Sequence, residues 1–157
     1  MRKDSGVDGD AQRISQLGWL LFLKIFDDSE KENELLDDNY KSLISHELKW
    51  RNWAGDSEGI TGDELLEFVN NKLFPTLSEL TLPPGSDARG IIVREVFQDM
   101  FNYMKSGQLL RQVINKLNEI DFNDLSQRQH FGDIGPAVGG NHAIYCVDAD
   151  NNFTRKF

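Results

Sequence analysis

The sequence predicts an all-α fold, a small bundle of four to five helices followed by a loose, β-prone C-terminal tail. Three observations lead there. Apolar residues recur three and four apart in several long stretches of the 157-residue chain, strand-type alternation is almost absent, and the breaks between stretches carry helix-end signals. An apolar share of 39% is enough for one core in a chain this long.

The elements follow in order. Residues 1–13, with Asp4, Asp8 and Asp10 among small residues, read as a flexible leader, without the basic-then-apolar order of a signal peptide. From Ile14 to about Leu36, Ile14, Leu17, Leu21 and Ile25 form one helical stripe. Trp19, Leu20, Phe22, Leu23 and Phe26 widen it over nearly the whole circumference, so this helix is expected to be deeply buried or shared with a partner. Seven acids follow between Asp27 and Asp38, offset only by Lys31. No glycine lies between residues 19 and 54, so an EF-hand loop is excluded, and the run reads as a solvated helix end or a surface for a basic partner.

Residues 39–60 read as irregular, with a short helical candidate around Ser45–Trp50. Thr61 and Glu64 have capping-box spacing, and Leu65, Val69 and Leu73 then supply a buried face until Pro75 breaks or kinks the helix. A short turn through Leu77 and Leu80 is expected to end at Pro83-Pro84-Gly85. Ile91, Ile92, Val96, Met100, Phe101 and Met104 predict a helix from Asp87 to about Met104, and Ser106 can cap the next, whose anchors are Leu109, Leu110, Val113, Ile114 and Leu117. A last helical candidate spans Asp124–Ile134. Beyond it the glycines break any helix, and Ala143–Val147 is β-prone.

Composition narrows the function. With 26 acidic and 17 basic side chains, a net charge of −9 argues against a chain that binds nucleic acid on its own. The lone Cys146 cannot make an internal disulfide, which fits a cytoplasmic location. The longest apolar stretch, Leu17–Phe26, is broken by Gly18 and Lys24 and falls far short of the ~20 residues of a membrane span. His46, His130 and His142 have no ligand spacing, and no phosphate-cradling or dinucleotide motif occurs, so no catalytic, cofactor-binding or metal-ligating residue is assigned.

Two sets of binding candidates remain. Arg89, Arg94, Lys105, Arg111 and Lys116 could line one side of a helix pair and touch phosphates, although residues 61–134 hold seven basic and eleven acidic side chains. Trp50 and Trp53 either present their indoles to a partner, such as stacked bases, or pin their loop to the core.

The run Leu17-Gly-Trp-Leu-Leu-Phe-Leu-Lys-Ile-Phe-Asp-Asp28 resembles the opening helix of the methyltransferase (M) subunit of type I restriction-modification systems. Leu48-Lys-Trp-Arg-Asn-Trp-Ala54, Phe68-Val-Asn-Asn-Lys-Leu-Phe-Pro75, the run from Asn102 through Ile120 and His130-Phe-Gly-Asp-Ile134 continue the resemblance over residues 14–134. It implies the N-terminal helical domain of a DNA adenine methyltransferase subunit. That domain would be noncatalytic, would assemble with the specificity and restriction subunits, and would help close the complex around DNA, touching DNA only within the assembly. S-adenosylmethionine would belong to a following domain, which methylates a flipped adenine. The family's polar-Pro-Pro-aromatic signature is missing, the only Pro-Pro being Pro83-Pro84, as is its cofactor glycine motif. The chain alone is therefore expected to be inactive, and residues 135–157 are expected to reflect a truncation or a shifted reading frame. The competing reading is a free-standing helical interaction module with no nucleic-acid role.

Overall fold

In the computed structural model the described residues are 1, 3–121, 144–147 and 153–156, the last two ranges through their backbone. The expected all-α bundle is observed. Helix α1 spans Asp10–Leu36, a 3-10 turn covers His46–Leu48, and α2 spans Trp50–Trp53. Then come α3 (Gly62–Glu67), a π-helical stretch Phe68–Leu73, α4 (Phe74–Ser78), α5 (Ala88–Asp99) and α6 (Gly107–Asn118). Strands β1 (Ile144–Val147) and β2 (Phe153–Lys156) pair antiparallel, Ile144 opposite Lys156 and Val147 opposite Phe153. The β-prone stretch of the tail thus includes a strand, whereas the helical candidate Asp124–Ile134 lies outside the described residues.

The breadth of apolar surface on α1 is explained by its central position. Trp19, Leu20, Leu23 and Phe26 are buried, and the ring of Phe74 meets Trp19 edge-on at 5.1 Å. Around it α4 packs on α5 and α3 on α6, while α2 touches α1. At the α3–α6 contact two helix starts nearly touch, since a methyl group on Gly107 would sit 1.8 Å from the Gly62 carbonyl oxygen. Gly62 itself has φ 59°, a conformation that L side chains rarely adopt.

Pro75 neither ends nor sharply breaks its helix. The preceding turns widen to the π form, in which the amide of Phe74 donates to Val69 O five residues back, and Pro75 falls in the first turn of α4, where its missing N–H costs little. Thr61 occupies the N-cap of α3, but no side-chain cap bond forms there, whereas Ser106 caps α6 by accepting from the amide of Leu109. Helix α5 stops at Asp99 rather than near Met104, and residues 100–106 run extended to α6. The reading of residues 1–13 as a flexible leader is corrected as well. Residues from Asp10 belong to α1, Val7 is buried, and the buried carboxylate of Asp4 accepts from the amides of Gly6 (2.8 Å), Lys105 (3.0 Å) and Ser106 (2.8 Å).

Candidate functional site

The acidic run after Phe26 is only partly a solvated surface, because α1 turns its first half inward. Asp27 Oδ1 accepts from Arg51 Nε at 2.9 Å and Asp27 Oδ2 from the Arg51 backbone amide at 3.1 Å. Two turns later Glu34 receives Arg51 Nη1 (2.7 Å) and Lys49 Nζ (2.6 Å). Those hydrogen bonds, Lys49 first and Arg51 second, hold the Glu34 carboxyl below its ordinary value. Burial pulls Arg51 down, but its bonds to Glu34 and Asp27 outweigh this and raise it. Between these two acids, buried Glu30 accepts from the hydroxyls of Tyr40 and Ser42. Burial first, and then the bond to Glu30, push the Tyr40 phenol up to about 12. The outer acids Asp37 and Asp38 are exposed.

Each basic candidate has a distinct environment. Arg89 donates to the Tyr40 hydroxyl at 2.9 Å and to Asp87 Oδ2 at 2.8 Å, and it lies 3.8 Å from Glu30 Oε1. Arg111 is 5% exposed, and its guanidinium spends itself on main-chain carbonyls: Trp53 (2.9 Å), Ala54 (3.3 Å), Asp56 (3.1 Å) and Ile60 (2.8 and 2.6 Å). Burial pulls its pKa below the usual arginine value. Lys116 points outward and binds Glu119 at 2.9 Å. Arg94 is half-buried and Lys105 exposed, neither with a side-chain partner among the described residues. The five cations therefore do not form one stripe: two are engaged in holding the fold.

Trp50 and Trp53 are both buried and meet edge-on at 5.3 Å, so of the two readings the structure selects the one in which they pin the loop. Trp50 Nε1 donates to Asn118 Oδ1 (2.8 Å) and Trp53 Nε1 to Leu48 O (3.1 Å). Sequence reasoning missed the grip that completes this arrangement. Arg111, Asn115 and Asn118 recur on α6 at i, i+4 and i+7, and the two amides donate to Ser57 O (3.2 Å) and Ala54 O (2.7 Å). The spacing was the available signal, a polar stripe beside the apolar one. A second missed anchor is fully buried Gln16, which donates to Asn102 Oδ1 and accepts from the Tyr103 amide, each at 2.8 Å.

Among the described residues no group of His, Cys, Asp and Glu could hold a metal ion, and no helix is long and apolar enough to cross a membrane. The HsdM N-terminal domain family model matches residues 1–117. The chain belongs to this family. The chain is 63% identical over 134 residues to the type I restriction enzyme EcoEI methylase subunit of Escherichia coli, covering 85% of the chain and 27% of that protein. A crystal structure of a modification subunit ascribed to a type I restriction enzyme from Vibrio vulnificus YJ016 superposes with a TM-score of 0.78 at 33% identity, over 94% of the chain and 35% of its own. A chain from a structure addressing complex assembly and conformational transition of the type I R-M system follows with a TM-score of 0.72, 30% identity, and coverages of 87% and 27%. This HsdM N-terminal domain thus spans about a quarter to a third of the proteins it matches.

Proposed function

We propose that this chain is the noncatalytic N-terminal domain of a type I DNA adenine methyltransferase subunit, which assembles with the specificity subunit and helps close the complex around DNA. The observation that carries this is the family match over residues 1–117 combined with 63% identity to a methylase subunit more than three times as long. The reading also extends to the restriction subunit as a partner, to the cytoplasm as location, and to S-adenosylmethionine as a cofactor bound by the longer subunit rather than by these residues. Two features of the site agree with an assembly role. The buried carboxylates Asp4, Asp27 and Glu30 are committed to holding segments of the chain together, and among the described residues these bonds tie the helices into a rigid surface. A complex with many partners rewards such rigidity, because little ordering entropy is lost on docking.

Transfer of labelled methyl groups from S-adenosylmethionine to adenine-containing duplex DNA tests the noncatalytic assignment. The 157-residue chain should give only background incorporation; robust methylation by the chain alone would overturn it.

A further inference from the structure

We infer that the extended segment between α5 and α6 presents Phe101, braced by Tyr103 and flanked by Lys105, as a contact ledge for one nucleotide of bound DNA. This rests on the reading that the domain works at DNA within the assembly. The segment is held from behind along residues 102–106. The Gln16 side chain takes the Tyr103 amide, Asn102 Oδ1 receives Gln16 Nε2, Met104 is buried, and Asp4 takes the amides of Lys105 and Ser106. Met104 is drawn inward, Phe101 and Lys105 are exposed, and half-buried Tyr103 packs against the core between them.

What faces outward has a definite chemistry. Phe101 is 62% exposed, although every other phenylalanine of the described residues is buried or half-buried. Its ring stands 6.4 Å from that of half-buried Tyr103 at 61°, so Tyr103 supports its edge and leaves ring surface free. Lys105 is exposed and has no ion pair among the described residues. The same holds for Lys3, one residue from the Asp4 that grips this segment. Elsewhere most cations of the described residues are neutralised by acids, as Lys49, Arg51, Lys72 and Arg89 are. An exposed aromatic ring beside ammonium groups matches the sugar–phosphate of one nucleotide, since the ring can pack on the deoxyribose and a lysine can meet the phosphate on intact duplex. Exposed Asp99 lies two residues before Phe101 in the chain.

The test uses the complex reconstituted from the longer methylase subunit that carries this domain and its specificity subunit, titrated against fluorescein-labelled duplex at several salt concentrations. Phe101→Ala should weaken binding by at least about fivefold at every salt concentration. Lys105→Ala should reduce the slope of log affinity against log salt by about 1. Lys72→Ala, whose ammonium is paired with Glu47, should change neither. If both ledge variants bind like wild type while removal of residues 1–121 weakens DNA binding, the ledge is refuted and the domain's role stands. If that removal leaves DNA affinity unchanged, the role falls and the ledge with it. If Phe101→Ala instead releases the specificity subunit without DNA present, the residue is a protein contact and the nucleotide assignment is overturned.

Discussion

Asp27 holds Arg51 twice, through the side-chain Nε at 2.9 Å and through the backbone amide at 3.1 Å, so one carboxylate fixes both where α2 starts and where its guanidinium points. Asp27 is 2% exposed, and its loss would leave the Arg51 amide and Nε without their acceptor, while Glu34 still pairs with the far end of the guanidinium. Leaving a buried amide and one guanidinium nitrogen unsatisfied costs about 2 kcal/mol. Asp27→Ala should therefore lower the urea midpoint by roughly 1–2 M at an unchanged slope; a midpoint within error of wild type would show that the pair is dispensable.

Arg111 is the second such device, and it is specific to the guanidinium. Lysine keeps the charge but offers one nitrogen in place of a planar fork, so it cannot reach the carbonyls of Trp53, Ala54, Asp56 and Ile60 together. Arg111→Lys should cost about 2 kcal/mol and shift the tryptophan emission to the red as Trp53 loosens. Chemical denaturation followed by fluorescence reads both effects.

Crowding at the α3–α6 contact leads to a third expectation. A methyl group at Gly107 meets the Gly62 backbone, which cannot rotate away as a side chain would. Gly107→Ala should lose about 2 kcal/mol or more by overpacking, although alanine normally favours a helix over glycine. A melting temperature at or above that of wild type would contradict the close approach.

Three acids, Glu34, Asp4 and Asp87, and one phenol set the dependence on pH, Asp87 being held below its ordinary value first by its bond to Arg89. The folded Glu34 carboxyl lies below its ordinary 4.5 and the folded Asp4 carboxyl below 3.8; for Asp4 burial opposes the shift, and the amides of Lys105, Gly6 and Ser106 outweigh it. A depressed folded value gives stability that is complete above the unfolded value and is lost as pH falls through the folded one. Stability should thus be flat near neutrality and decline below about pH 4.5, with a shallower decline in Asp4→Asn. Tyr40 works in the opposite sense. Raised from 10.0 to about 12, it contributes stability that is present below pH 10 and lost between pH 10 and 12. Ultraviolet titration of wild type against Tyr40→Phe should place the phenol's transition well above that of an ordinary tyrosine.

Much of the fold was legible because helical periodicity reports burial directly. The body and C-terminal end of α1, the capping serine of α6 and the all-α class followed from apolar spacing and end signals. The errors arose where a polar side chain took over the role of a helix or of solvent. Met100, Phe101 and Met104 match a helical period as well as they match an extended segment, and the choice between them was made by Gln16 and Asp4, both distant in sequence. The inward turn of Asp27 and Glu30 was hidden for the same reason, since a carboxylate's burial depends on Arg51, Tyr40 and Ser42 arriving from elsewhere. For the site, charge identified Arg89 and Arg111 as candidates but could not reveal that Asp87, Tyr40 and a row of carbonyls already occupied them. Trp50 and Trp53 were visible as a pair, and only packing shows that their rings face the core.

The measurement that bears most directly on the assembly role is sedimentation of the longer methylase subunit mixed with its specificity subunit, with and without residues 1–121. The account predicts that the intact pair sediments as one complex, and that at the same concentration the shortened subunit leaves specificity subunit free, with the separate 157-residue chain restoring part of the assembly. An identical complex from the shortened subunit, indifferent to the added chain, would contradict it.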